Sequence, residues 1–160
     1  MISKAGLDII KEHEGLRLTA YMPTPNDKLT IGYGHTKTVH AGMTIHQHEA
    51  EQLLRDDLVW AEEAIQRYVD VKLNQNQYNA LCSFVYNIGA TNFRKSTLLK
   101  KLNNGDYNGA SKEFKRWNKQ QGSVLRGLTV RRVAEATLFS KDPSSSLKTA
   151  LRRILNRKGC

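Results

Sequence analysis

Glu14 is the residue whose surroundings point most directly to chemistry. It lies in Glu12-His13-Glu14-Gly15-Leu16-Arg17-Leu18-Thr19-Ala20-Tyr21, and Leu29-Thr30-Ile31-Gly32-Tyr33-Gly34-His35-Thr36 follows. The first run reads as an amphipathic helix that ends in a carboxylate and continues as an extended segment. Pro23, Pro25, Asn26 and Asp27 then mark a turn. The second run is extended again, with glycines in alternation. That order sets Glu14 at the lip of a small sheet. A carboxyl at a partly dry lip is what general acid catalysis at a glycosidic bond requires. A glutamate at a helix C-terminus opposes the helix dipole, so helix stability does not account for it. Thr30 adds a hydroxyl that both donates and accepts, and so can hold a water. Threonine also suits plain strand packing. Gly32 and Gly34 weaken a strand unless something approaches its backbone closely, and a sugar chain would do so. His35 reads as a hydrogen-bonding tether between this sheet and the first helix.

The elements that must position these residues follow from periodicity and caps. Ser3 caps a first helix that runs to about His13, with Leu7 and Ile10 facing the core. Residues 16 to 36 read as a short hairpin or three-stranded sheet. Thr44-Ile45-His46-Gln47 has the form of a capping box and opens a long helix to about Tyr68. Its apolar positions Leu54, Leu58, Ala61, Ile65 and Tyr68 step by three and four. Asn74 caps a helix through Tyr86, Ser96 caps a short one to Leu102, and Asp106 starts another. Gly122-Ser123 is a turn, and a late helix runs from about Thr129 to Phe139. After the break at residues 141–146, Leu147, Ala150, Leu151, Ile154 and Leu155 recur at helical spacing among Lys148, Arg152, Arg153, Arg157 and Lys158. Residues 147–158 are therefore expected to form a basic amphipathic helix packed on the domain. The alternative is that this helix meets anionic outer-membrane lipid.

Composition narrows the classes. The 160 residues make one domain, or two small lobes sharing a core. The net charge of +10 draws the chain to polyanions. Aromatics are not interleaved with the basic residues as a nucleic-acid platform needs, so no specific nucleic-acid partner is expected. Met1 to Gly6 carry no hydrophobic signal core, which points to synthesis in the cytoplasm. Cys82 reads as a buried thiol, and cytoplasmic residence argues against its pairing with Cys160. His13, His40, His46 and His48 lack the spacing that puts two ligands on one helical face, so no metal or other cofactor is expected.

Four motifs in order carry a resemblance. E-G-L-R-L-x-A-Y followed by T-I-G-Y-G-H-T resembles the muramidase-type lysozymes of tailed phages, glycoside hydrolase family twenty-four. Phe84-Val85-Tyr86-Asn87-Ile88-Gly89 with Ser96-Thr97-Leu98-Leu99 is similar to the family's central-helix motif, and Leu102 to Ala110 to the turn after it. Gly127 to Glu135 resembles its late Arg-Arg helix. The likeness spans roughly Ile2 to Phe139. It implies an α+β fold, mainly α, in which a small N-terminal β sheet and a larger helical lobe flank a cleft. The catalytic domain would span 1–143, with the β lobe at about 14–43. The implied reaction is hydrolysis, with inversion, of the β-1,4 bond between N-acetylmuramic acid and N-acetylglucosamine in peptidoglycan. The implied role is host-cell lysis by a monomer that leaves the host cytoplasm through a holin pore. The rival reading is a basic wall-binding module without turnover.

The same resemblance implies site residues. The family pairs its acid with an arginine of the late helix, and of Arg131 and Arg132 the expectation falls on Arg132. Tyr86, Asn87 and Ser96 match cleft positions, an aromatic face and an amide suiting a sugar ring and its N-acetyl group. Taken as plain structure, Tyr86 is core and Ser96 a helix cap. Gly32, Gly34 and His35 stand with them as substrate-binding residues. The family's usual spacing is Glu, eight residues, Asp, five residues, Thr. Thr30 fits the last position, but the loop is one residue longer, and the middle position falls on Pro23 or Thr24. Three arrangements stay open: water held by Thr24 with Thr30, a charge supplied by Asp27, or Glu14 acting alone. In the last, as in lytic transglycosylases, a substrate hydroxyl replaces water.

Overall fold

The computed structural model describes residues 1–144, so the expected helix at 147–158 and Cys160 lie outside the described residues. Helix α1 (Lys4–Glu14) leads into β1 (Arg17–Tyr21) and β2 (Thr30–Gly32). The long α2 (Gln47–Tyr68) follows, then α3 (Gln75–Ile88), α4 (Ala90–Lys95), α5 (Thr97–Asn103) and α6 (Tyr107–Glu113). A single 3-10 turn (Phe114–Arg116) and a two-residue hairpin, β3 (Lys119–Gln120) and β4 (Ser123–Val124), precede α7 (Arg126–Ser140). The result is mainly helical with small sheets, as the resemblance implies.

The β lobe is an antiparallel pair, with Arg17 opposite Gly32 and Tyr21 opposite Thr30 and an irregularity between them. A third segment closes on β1: Ala20 N donates to Met43 O at 2.8 Å and Ile45 N to Leu18 O at 2.9 Å. This pairing corrects the expected start of α2. Thr44 bridges Thr19 and so stays extended. The helix begins three residues later, where Glu49 reaches back to the backbone N–H of His46 at 2.7 Å.

The core is built on α3. Ala80, Leu81, Cys82, Phe84 and Val85 are fully buried, and α1, α2 and α7 pack around this helix. Phe84 meets Phe114 edge-on at 4.9 Å and Trp117 at 5.9 Å, spacings that suit the ring quadrupoles. Helix α1 is held close to α3. A Cβ on Gly6 would stand 2.6 Å from Ile2 and 2.8 Å from Asn79, and Asn79 accepts from Ser3 N at 3.0 Å. This docking fixes where the end of α1 falls.

The expected caps at Asn74, Ser96 and Asp106 all bond the first turns of their helices. Asn74 accepts from Gln77 N at 2.8 Å, while Gln77 accepts from Asn74 N at 2.9 Å. Asn74→Ala should therefore cost about 0.5–2 kcal/mol in urea unfolding.

Candidate active site

Glu14 is the last residue of α1, and Gly15, at φ 73, turns the chain into β1. Its carboxylate divides its two oxygens. Oε1 accepts from Arg131 Nη1 at 2.7 Å. Oε2 faces the loop at Gly34, where a Cβ would stand 3.6 Å away. That contact would be an ordinary one; it is the φ of +91 that favours glycine at position 34. Glu14 and Arg131 line a cavity of about 760 Å³ together with Glu12, His13, Asn87, Arg126 and the start of α7.

Arg131 is nearly fully buried and is held on every edge. Its Nε donates to Glu135 Oε1 at 3.2 Å, and its Nη2 to Ser83 O at 3.2 Å. Ser83 Oγ donates to the same Glu135 oxygen at 2.6 Å. Arg132 points elsewhere, which corrects the expectation that it partners the acid. It is fully buried and donates to Glu135 Oε2, Asn87 Oδ1 and the Trp117 carbonyl. The reason is helical register: consecutive residues lie about 100° apart, and only Arg131 faces α1. A fully buried Arg132 does not reach substrate. Burial pushes its guanidinium below the ordinary value, and Glu135 opposes that shift. Glu135 itself was not singled out from sequence. The signal was present, because Arg131 and Arg132 stand four and three residues before it, on one helical face.

The other candidates divide by exposure. Asn87 is exposed on the cavity. Tyr86 is half-buried and stacks on Trp60 at 6.0 Å; burial, then the Asp57 and Glu14 charges, push its phenol well up. Ser96 is buried and spends its hydroxyl on the α5 cap and the Phe93 carbonyl, so it supports the helix and does not face substrate. Gly32 is buried against α2, where a Cβ would stand 3.4 Å from Ala50. Its φ of +64, a conformation that favours glycine, and not sugar approach, explains that residue. His35 is buried and tethers the sheet to α2 and not to α1: its Nδ1 meets Asp57 Oδ2 at 2.8 Å.

Thr30 is buried on β2 and donates to Lys28 O at 3.0 Å. Thr24 and Asp27 form one unit in the exposed loop. Thr24 Oγ donates to Asp27 Oδ2 at 2.8 Å, and Asp27 N donates to Thr24 O at 3.0 Å. Among the described residues no cluster of His, Cys, Asp or Glu could hold a metal ion, and no helix is long and apolar enough to cross a membrane.

His13, beside the acid, is held below its ordinary value of 6.5, first by burial and then by the Arg131 charge. The unfolded chain therefore takes up this proton first as pH falls. Its contribution leaves stability intact above about 6.5 and erodes it below. His13→Gln should flatten that acid-side loss in urea unfolding series run from about pH 7.5 to about pH 5.

The phage lysozyme family model matches residues 11–135. The endolysin of Acyrthosiphon pisum secondary endosymbiont phage 1 is 49% identical over 142 residues, 86% of this chain and 97% of that protein. The endolysin of Salmonella phage P22 is 43% identical, over 86% of this chain and 97% of its own. The chain spans about half of the endolysins of Bacillus phages B103 and PZA, 56% and 55% of their lengths. Among solved structures, a P22 lysozyme mutant superposes with a TM-score of 0.82 at 41% identity, covering 88% of this chain and 99% of that one. The muramidase domain of SpmX from Asticaccaulis excentricus gives 0.83 at 38% identity, covering 89% and 99%.

Proposed function

Because the chain belongs to the phage lysozyme family, we propose that Glu14 is the proton donor with which it opens a glycosidic bond. The chain is a lysozyme, an endolysin-type enzyme that degrades peptidoglycan. The bond cleaved is the β-1,4 link between N-acetylmuramic acid and N-acetylglucosamine. One observation carries the assignment: the carboxyl's two oxygens are treated differently. Oε1 is committed to Arg131, while Oε2 stands clear beside Gly34. The proton of the acid form then rides on Oε2, which faces the sugar oxygen it must reach. Asn87 presents its amide to the same cavity, and Tyr86 offers an aromatic face.

The water comes from the loop before β2. Thr24 already donates to Asp27, so the hydroxyl and the carboxylate work as one acceptor, with Thr30 behind them on β2. The carboxylate orients and polarises the water, and the departing proton passes to it. Inversion follows from attack on the face opposite Glu14. Thr24→Ala and Asp27→Asn should each lower kcat by about 10-fold or more if this pair handles the water. Mass spectrometry of the fragment ends checks the chemistry. Hydrated reducing ends support hydrolysis, whereas 1,6-anhydro ends with unchanged rates in both variants would assign the cleavage to Glu14 alone.

The enzyme acts on the wall after release from the cytoplasm, through a membrane pore of the holin kind. It works as a monomer, with the catalytic unit in residues 1–143. The basic run 147–158 lies outside the described residues. An anionic-lipid role for it is tested by ending the chain after Ser145: lysis of isolated walls would persist while killing from outside would be lost.

A further inference from the structure

The cavity-facing acid and the cavity-facing amide are joined beneath the surface by an unbroken chain of charges. Glu14 binds Arg131, Arg131 binds Glu135, Glu135 binds Arg132, and Arg132 binds Asn87. Both ends of this chain open into the same cavity. Its interior is dry: Arg131 is 4% exposed and Arg132 and Glu135 are 0% exposed. The four charges alternate in sign and sum to zero, as buried charges must be arranged to persist. Glu135 is the middle of the chain. Its Oε1 takes the Arg131 Nε and the Ser83 hydroxyl, and its Oε2 takes Arg132.

We propose that Glu135 is a positioning residue for the glycosidic reaction, aiming the acid through Arg131 and the substrate-binding amide through Arg132. Holding Arg131 by its Nε edge leaves Nη1 as the edge that meets Glu14, which selects Oε1 as the occupied oxygen. Holding Arg132 brings its Nη2 to Asn87 Oδ1. The amide's two N–H groups are then the part left to the cavity, and they call for an acceptor on the substrate, such as an amide carbonyl or a carboxylate. Glu135 also sets the field at the acid, because its negative charge offsets that of Arg131. Other charged and titratable groups surround Glu14. They are Glu12 and His13 on α1, Arg126 on α7, Tyr86 on α3, and Asp57 with its partner His35 beyond Tyr86. None of these bonds Arg131.

The inference rests on the assignment of Glu14 as acid, and the test separates the two. The full chain and its Glu135→Gln and Ser83→Ala variants are compared on purified peptidoglycan across pH. If Glu135 positions the acid, Glu135→Gln leaves KM within about threefold and lowers kcat by about 10²-fold, within the range for a misaligned general acid. The alkaline limb of its kcat/KM profile also moves to lower pH by about one unit, because an unopposed Arg131 favours the carboxylate form of Glu14. A wild-type kcat and an unmoved limb in folded Glu135→Gln would overturn the proposal. If that variant does not fold, Ser83→Ala decides. It keeps every charge and removes the hydroxyl that donates to Glu135 at 2.6 Å and accepts only a long 3.4 Å bond from Arg131 Nη2, so a several-fold fall in kcat at constant KM supports the proposal and a wild-type kcat overturns it. Loss of cleavage in neither Glu14→Gln nor Glu135→Gln would instead remove Glu14 as the acid.

Discussion

Glu14→Gln should lose about 10²–10⁴-fold in kcat/KM on peptidoglycan while keeping its fold, the range for removing a positioned general acid. The substitution is nearly isosteric. A glutamine carbonyl still accepts from Arg131 Nη1 in the place of Oε1, and the side-chain amide takes the position of Oε2 beside Gly34. What disappears is the transferable proton. Circular dichroism should show the fold retained, so the loss is read as chemistry. Release of reducing ends from purified walls is the measurement, and a variant with more than about a tenth of wild-type rate would remove Glu14 from the reaction.

Arg132→Met should be the most destabilising single change in the late helix, at about 3–5 kcal/mol. The side chain is fully buried and leaves three groups behind: one oxygen of Glu135, the Asn87 amide oxygen and the Trp117 carbonyl. It also stacks over Phe84 at 5.1 Å, so the core loses a packing partner. In a chain of this length the melting temperature should fall by roughly 10 °C. Urea unfolding checks it, and a cost under about 1 kcal/mol would mean that the buried charges relax freely. Arg116→Met is the contrast. Its side chain is 75% exposed and its Glu113 contact is 3.6 Å long, so stability should hardly move.

Local signals were legible in the sequence, and tertiary ones were not. Asn74, Ser96 and Asp106 could be read as caps because each bonds a backbone N–H within three residues of itself. Thr44 misled because its own neighbourhood favours a helix start, while β1, some 25 residues earlier, holds it extended. The choice between Arg131 and Arg132 turned on which face of α7 meets α1, and nothing within the Arg-Arg pair decides that. Glu135 would have decided it, had its spacing from both arginines been read as an anchor. Gly32 and Gly34 look alike in sequence and both adopt a positive φ, yet one lies beneath α2 and the other beside Glu14. Short elements such as α4 and the β3–β4 hairpin hold too few residues for periodicity to show.

The bond between Glu14 and Arg131 spans 117 residues of sequence, and this has a consequence for synthesis. A nascent chain can form α1, the β lobe and α2 long before α7 leaves the ribosome, but its acid then lacks the guanidinium and the buried carboxylate that aim it. Closing so long a loop is among the slower events of folding, and domains complete it only once the distant segment is available. Until α7 docks, the Glu14 carboxylate has no Arg131 to hold its Oε1. A chain cut before α7 should therefore keep Glu14 at the end of α1 but lack its Arg131 partner.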